Sequence, residues 1–129
     1  MIHIRIGDGE AEISGAAKHL RSLSVRIREL AEPNSSGKLI VKASILVDPA
    51  PYVRCAGHLQ VLVREGRVQV SELEGAVLEV AGSREKLANF SSWFDLPSGD
   101  PGYHTHYDSV GNADVAASSM ALVICAPDG

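Results

Sequence analysis

The fold is decided by the stretch LEVAGSREKLANF, which occupies residues 78–90. Three of its first four residues are apolar and suit a buried strand, and Gly82 ends that strand. Ser83 is placed to cap the free amides of a helix, and Glu85 suits the positive end of the helix dipole. The helix carries one apolar stripe, made of Leu87, Phe90, Trp93 and Phe94. The stretch therefore predicts a strand that leads directly into an amphipathic helix.

The same order of elements occurs 67 residues earlier. A strand ends at Gly15, and a helix is predicted over residues 16–32. Its apolar stripe consists of Leu20, Leu23, Ile27 and Leu30. The shift of 67 residues superimposes four identical residues, which are Glu12 on Glu79, Gly15 on Gly82, Leu20 on Leu87 and Ser24 on Ser91. This pattern favours an internal duplication, with one unit at about 1–64 and the other at about 67–126. The alternative is that two strand-to-helix junctions converged on the same rules.

Strands are predicted from period-2 alternation and from β-branched runs. They are residues 2–6, 10–14, 38–47, 58–64, 67–71, 76–81, 103–108 and 119–126. The run 38–47 is apolar enough to predict a strand buried on both faces. Glu65 and Gly66 predict a hairpin that pairs 58–64 with 67–71. Each unit then reads strand, strand, helix, strand, strand.

These elements predict one α+β domain that spans residues 1–129. Its sheet is expected to be mostly antiparallel, because short links join most neighbouring strands. The two helices each have a single apolar stripe, so both must pack on the sheet. A two-layer sandwich and a pair of pseudo-symmetric sheets both satisfy the pattern.

Composition excludes several classes of protein. The chain has 12 basic and 16 acidic residues and a net charge of −4, which leaves no basic footprint for nucleic acid. Its basic cluster of Lys18, Arg21, Arg26 and Arg28 is interpreted as a solvated helix face, and the alternative is a patch that contacts RNA or a membrane surface. No apolar run approaches the ~20 residues of a membrane span, and the N-terminus lacks the pattern of a signal peptide. Two isolated cysteines, Cys55 and Cys125, fit reduced thiols, so a cytoplasmic protein is expected.

The strand at residues 103–108 is the most suggestive polar cluster. Alternation places His104, His106 and Asp108 on one face, and Tyr103 and Tyr107 on the other. Two imidazoles and a carboxylate could hold Zn²⁺ with an open fourth position, so a metal site is one hypothesis. The other is a solvated or partner-facing surface, which needs no metal and no cofactor.

Partner binding is predicted around this strand, within residues 97–114, because loops on a rigid scaffold concentrate binding residues. The predicted contact residues are Asp100, Tyr103, His104, His106, Tyr107, Asp108 and Asp114. Only one face of the strand can be exposed, and the alternation favours the polar one. No catalytic residue is predicted, since the sequence has no nucleophile motif of the Gly-x-Ser-x-Gly kind.

Residues 78–90, then 102–108, then 118–124 together resemble a known family. The shared pattern is a strand that ends in Gly-Ser, a leucine-striped helix, a His-x-His strand and a closing Ser-x-x-Leu-Val-Ile strand. The family is the immunity protein thirty-two type, predicted immunity proteins of bacterial polymorphic toxin systems. The resemblance covers roughly residues 76–125, with a weaker copy in 11–63.

The resemblance implies a cytoplasmic protein that binds and neutralises a cognate toxin and is not an enzyme. The acidic net charge suits a basic nuclease as that toxin. Two other hypotheses stay open. One is a small metal-binding protein or metal-dependent enzyme that uses His104, His106 and Asp108. The other is a homo-oligomeric structural protein that pairs its exposed strand edges.

Overall fold

Strands and helices follow one another in the order β1-β2-α1-β3-β4-β5-β6-β7-α2-β8-β9. The structure is a computed structural model that describes residues 1–45 and 47–129. The strands are β1 Ile2–Ile6, β2 Glu10–Ser14, β3 Lys38–Ser44, β4 Arg54–Ala56, β5 His58–Val63, β6 Gln69–Leu73, β7 Val77–Gly82, β8 Tyr103–Tyr107 and β9 Ala121–Ala126. The helices are α1 Ala17–Leu30 and α2 Arg84–Ser91, and a 3₁₀ turn at Ser92–Phe94 extends α2.

The strands form one mixed, curled sheet in the order β6-β7-β5-β3-β1-β2-β9-β8, with β4 beside β1. Five of the strand pairs are antiparallel, and β1–β3, β2–β9 and β5–β7 are parallel. Beyond β6 the sheet curls onto the segment that precedes β9. There the Val68 amide donates to the Asp114 carbonyl at 2.8 Å, and the Met120 amide donates to the Val70 carbonyl at 3.0 Å. The predicted α+β class with a mostly antiparallel sheet is confirmed.

Both helices pack on the inner side of the curled sheet and against each other. The apolar stripe of α1 is buried as predicted, with Leu20 and Ile27 at 0% exposure. Leu87, Phe90 and Phe94 of the second helical segment are also at 0%. Between the helices, the buried Ser24 hydroxyl donates to the Ser91 carbonyl at 2.7 Å. The predicted cap of α2 is also present, since the Ser83 hydroxyl accepts from the Lys86 amide at 3.3 Å.

The predicted hairpin of residues 58–64 with 67–71 is wrong. The turn at Gly66 does join β5 to β6, but β7 lies between them, parallel to β5 and antiparallel to β6. Burial explains the insertion, because Leu78, Glu79 and Val80 are all buried whereas β6 exposes Leu73. Strand β7, which has more buried side chains than β6, therefore occupies the interior position in the sheet.

The prediction that residues 38–47 form a strand buried on both faces is also wrong. The strand ends at Ser44, and Leu46 lies outside the described residues. Its side chains alternate, with Lys38 and Lys42 exposed and Ile40 at 53% exposure. No helix of the described chain covers the outer face of the sheet here, so only the inward side chains of β3 are protected. The short strand β4 was not predicted from the sequence.

Candidate functional site

Strand β8 lies at one edge of the sheet and contains four of the predicted contact residues, and a fifth, Asp108, directly follows its last residue. The four in the strand are Tyr103, His104, His106 and Tyr107. It pairs antiparallel with β9, which sets His104 opposite Cys125 and His106 opposite Val123. In the described part of the chain, no strand lies along its other side. An open strand edge offers unpaired amides and carbonyls to an incoming chain.

The hydrogen-bonding pattern of β9 determines which groups of β8 are free. The Ala121 amide donates to the Gly9 carbonyl at 3.0 Å, so the odd-numbered residues of β9 bond to β2 and its even-numbered residues bond to β8. Through the register of the pair, the odd-numbered residues of β8 then face β9. The peptide groups of His104 and His106 point to the open side, where no described residue bonds to them.

The two imidazoles are exposed on the outer face, as the alternation predicts. The ring centroids of His104 and His106 are 5.1 Å apart, with the ring planes nearly perpendicular at 81°. His104 Nδ1 lies 3.0 Å from the Gly102 carbonyl oxygen, to which it donates. This hydrogen bond leaves Nε2 of His104 facing solvent.

Tyr107, one of the predicted contact residues, has a buried side chain. Its side chain is only 1% exposed, and its ring packs 4.8 Å from Phe90 and 5.5 Å from Trp93. Burial, together with the nearby Asp114 carboxylate, raises the pKa of Tyr107. Tyr103, at the start of the same strand, is 39% exposed and remains available.

The three predicted aspartates do not converge. Asp100 is exposed, and its carbonyl accepts from the Tyr103 amide at 3.1 Å. Asp108 is half-buried and accepts from the Val110 amide at 3.0 Å, which closes a turn after β8. Asp114 is half-buried and binds α2, where Asn89 donates to it at 3.1 Å and the Lys86 ammonium lies 3.6 Å away. Asp114 therefore anchors the loop, and Asp100 and Asp108 border the open edge.

The last third of the chain carries side-chain charge of one sign, and Lys86, just before it, pairs with Asp114. From Leu87 to Gly129 the chain contains five aspartates and no lysine or arginine. Exposed apolar surface lies beside these charges, because Val110 is 88% exposed. Acidic and apolar groups therefore lie close together after β8.

The predicted metal ligands His104, His106 and Asp108 do not form a metal-binding cluster. Within residues 1–45 and 47–129, no three His, Cys, Asp or Glu side chains are grouped so that they could hold a metal ion. Asp108 is turned into its own loop, so it does not complete the pair of histidines.

Cys125 lies opposite His104 in the β8–β9 pair. Both cysteines are free. Burial, with the Glu12 carboxylate nearby, raises the pKa of the Cys125 thiol. A thiol held in its protonated form is a poor nucleophile.

A second group of polar residues was missed by the sequence analysis. Arg26 of the cluster that was interpreted as a solvated helix face lines a groove, together with Lys38 and Lys42 of β3. The two lysines are four residues apart, a spacing that puts them on one face of a strand. That spacing was readable in the sequence, but the proximity of Arg26 was not.

Comparison with known proteins finds no matching family model, no matching curated protein and no matching solved structure. Among the described residues, no helix has the length and apolar character needed to cross a membrane.

Proposed function

We propose that this protein is an immunity-type binding protein that neutralises a cognate bacterial toxin by direct contact. It acts in the cytoplasm, catalyses no reaction and uses no cofactor. The observation that carries the proposal is the open edge of β8, where the peptide groups of His104 and His106 are unpaired in the described chain. The resemblance to immunity proteins spans this same region, from β7 to β9.

The toxin binds by adding an extended segment to β8. Main-chain hydrogen bonds to His104 and His106 provide affinity in this mode of recognition, and the flanking side chains provide specificity. Tyr103 contributes a large contact area at a small cost in rotamer entropy. The aspartates around the edge select a basic partner, which supports a nuclease toxin.

We also propose that the chain arose by internal duplication of a strand-strand-helix-strand-strand unit. Three contacts support it. In the first, Ser24 and Ser91, which are 67 residues apart, bond to each other between the helices. A Cβ on Gly15 would lie 3.3 Å from Met1, and one on Gly82 would lie 3.0 Å from Val68. Each glycine therefore packs against the residue fourteen positions before it.

The test uses the toxin encoded by the neighbouring gene, with growth protection and purified-protein affinity as readouts. His106→Pro removes the imidazole and an outward amide, so it opposes strand addition, and it removes no donor from the β9 ladder. We expect at least about tenfold weaker binding, which is 1.4 kcal/mol. His106→Ala retains that amide and is the matched control, with affinity close to the parent.

Charge reversal gives an independent arm of the test. Asp100→Lys should weaken binding and protection, whereas Glu65→Lys makes the same change at an exposed turn far along the chain and should not. Absence of any binding to the toxin would overturn the proposed function. Equal affinity in His106→Pro and His106→Ala would place the interface away from β8.

A further inference from the structure

A groove lies between helix α1 and strand β3, on a different edge from β8. Two cavities of about 260 and 220 Å³ follow one another along it, and Arg26 lines both. Leu30 and Leu39 contribute apolar surface to one cavity, and Leu23 and Val41 to the other. The groove thus has apolar surface in both cavities, with Arg26 shared between them, and Glu29, Ser35 and Ser36 add polar atoms to the first cavity.

The wall of this groove is an open strand edge. Parallel strand β1 pairs with β3 only at Ala43 and Ser44. The Ala43 amide donates to the Gly57 carbonyl at 2.8 Å, so the odd-numbered residues of β3 bond to β5. The even-numbered residues face the groove, where the amide and carbonyl of Ile40 and the amide of Lys42 bond to no described residue.

The rim of the groove is basic although the whole chain is acidic. Arg26, Lys38 and Lys42 form no ion pair with any described residue. Glu29 lines the first cavity, and the residues that line the second include no carboxylate side chain. Three unpaired cations beside unpaired peptide groups constitute a site for a chain of opposite charge.

We propose that this groove binds an extended acidic segment of a partner protein, which adds as a strand to the free edge of β3. Side chains of an added strand alternate between two faces. Those on the outer face meet Lys38, Ile40 and Lys42, so acidic residues belong there. Those on the inner face enter the two cavities, so apolar residues belong there. The recognised sequence alternates acidic and apolar residues over at least five positions.

Charge favours this occupant over a second copy of the chain that pairs β3 with β3. Such a pairing would bring Lys38 and Lys42 against the same lysines, and like charges across an interface are unfavourable. Single-stranded nucleic acid also carries negative charge, but it needs aromatic platforms for its bases. No Phe, Tyr or Trp lines the two cavities. The proposal is independent of the toxin interface at β8.

The probe is a fluorescent nine-residue peptide that alternates glutamate and valine, with both ends blocked. Anisotropy titration at low salt should show saturable binding that weakens at least about tenfold for a matching lysine–valine peptide. Two further peptides carry N-methyl groups on the valine amides or on the glutamate amides. Because alternate amides face β3, one of these two must lose binding and the other must keep it.

Variants locate the site on the protein. Lys38→Glu combined with Lys42→Glu should weaken binding at least about tenfold. Lys18→Glu combined with Arg67→Glu makes the same change in charge outside the groove and should leave binding within about twofold. Amide chemical shifts of Ile40 and Lys42 should move on titration.

Several outcomes would overturn the proposal. They are no binding, equal binding of both N-methylated peptides, and an equal effect of the two double variants. Tighter binding of an oligothymidylate than of the acidic peptide would assign the groove to nucleic acid. Dimerisation that the Lys38 and Lys42 changes abolish would assign it to a second copy.

Discussion

At the scale of single residues, two tyrosines differ in whether the phenol hydroxyl has a hydrogen-bond partner. The Tyr107 hydroxyl is buried and finds no hydrogen-bond partner among the described residues. The Tyr52 hydroxyl donates to the Glu10 carboxylate at 2.8 Å. Burial raises the pKa of both groups, and for Tyr52 the hydrogen bond to Glu10 adds to it. Tyr107 contributes to packing through its ring, which contacts Phe90 and Trp93.

We expect Tyr107→Phe to raise the free energy of unfolding by about 1 kcal/mol, because the change removes a buried hydroxyl that has no partner. Tyr52→Phe breaks a hydrogen bond and should lower the free energy of unfolding by about 1 kcal/mol. Urea denaturation at pH 7 measures both. Equal losses in the two variants would mean that the Tyr107 hydroxyl is satisfied in solution.

At the scale of elements, the two helices begin differently. Ser83 caps α2 through its hydroxyl, whereas α1 follows Ala16, whose side chain cannot accept a hydrogen bond. The backbone of Ala16 is extended, with φ −61° and ψ 144°, a conformation typical of a capping residue. The first amides of α1 therefore lack a side-chain acceptor at their cap position.

Reciprocal substitutions should move stability in opposite directions. Ser83→Ala removes a cap and should lower the free energy of unfolding by about 1 kcal/mol. Ala16→Ser supplies the missing acceptor and should raise it by about 0.5–1 kcal/mol. Thermal denaturation followed by circular dichroism reports the sign of each change. Destabilisation by Ala16→Ser would show that its hydroxyl does not reach the amides of α1.

The local sequence pattern was sufficient to predict most helices and strands, but it did not predict which strands pair in the sheet. The stripe of α1 and the cap at Ser83 depend on residues three or four apart, so the sequence predicts them. The place of β7 between β5 and β6 depends on which strand needs burial most, a property of the whole sheet. The error at Gly66 has this origin, because a turn sequence identifies a reversal of the chain and not the partner of each strand.

For the candidate site, too, the sequence predicted local features but not contacts between distant elements. Alternation at His104 and His106 correctly indicated an exposed polar face. It could not indicate that Tyr107 packs on Phe90, because that contact joins a strand to a helix 17 residues away. The openness of β8 and of β3 is a property of strand order, and no local pattern encodes it.

At the scale of the whole molecule, the two halves of the chain are interlocked. Two parallel ladders cross between them, β2 with β9 over five residue pairs and β5 with β7 over six. The helices also meet across the halves, where Ser24 donates to Ser91. Neither half can therefore complete its own sheet.

We expect a chain cut between Glu65 and Gly66 to yield two fragments that do not fold alone, because each fragment loses the partner strands of both parallel ladders and a helix partner. Mixed in equal amounts, the fragments should recover the dispersed amide spectrum of the intact chain. The turn is exposed, so the cut itself removes little packing. A cooperative unfolding transition in either isolated fragment would contradict the interlocked arrangement.

Trp93 is the only tryptophan of the chain, and it lies directly behind the open edge of β8. Its carbonyl accepts from the Thr105 hydroxyl of that strand at 3.5 Å, and its indole lies 5.5 Å from the ring of Tyr107. The indole is half-buried, so its emission depends on how β8 is covered. The molecule therefore contains an intrinsic fluorophore that distinguishes its two edges. We expect a ligand on β8 to change the fluorescence emission of Trp93. A ligand beside β3 should leave that emission unchanged.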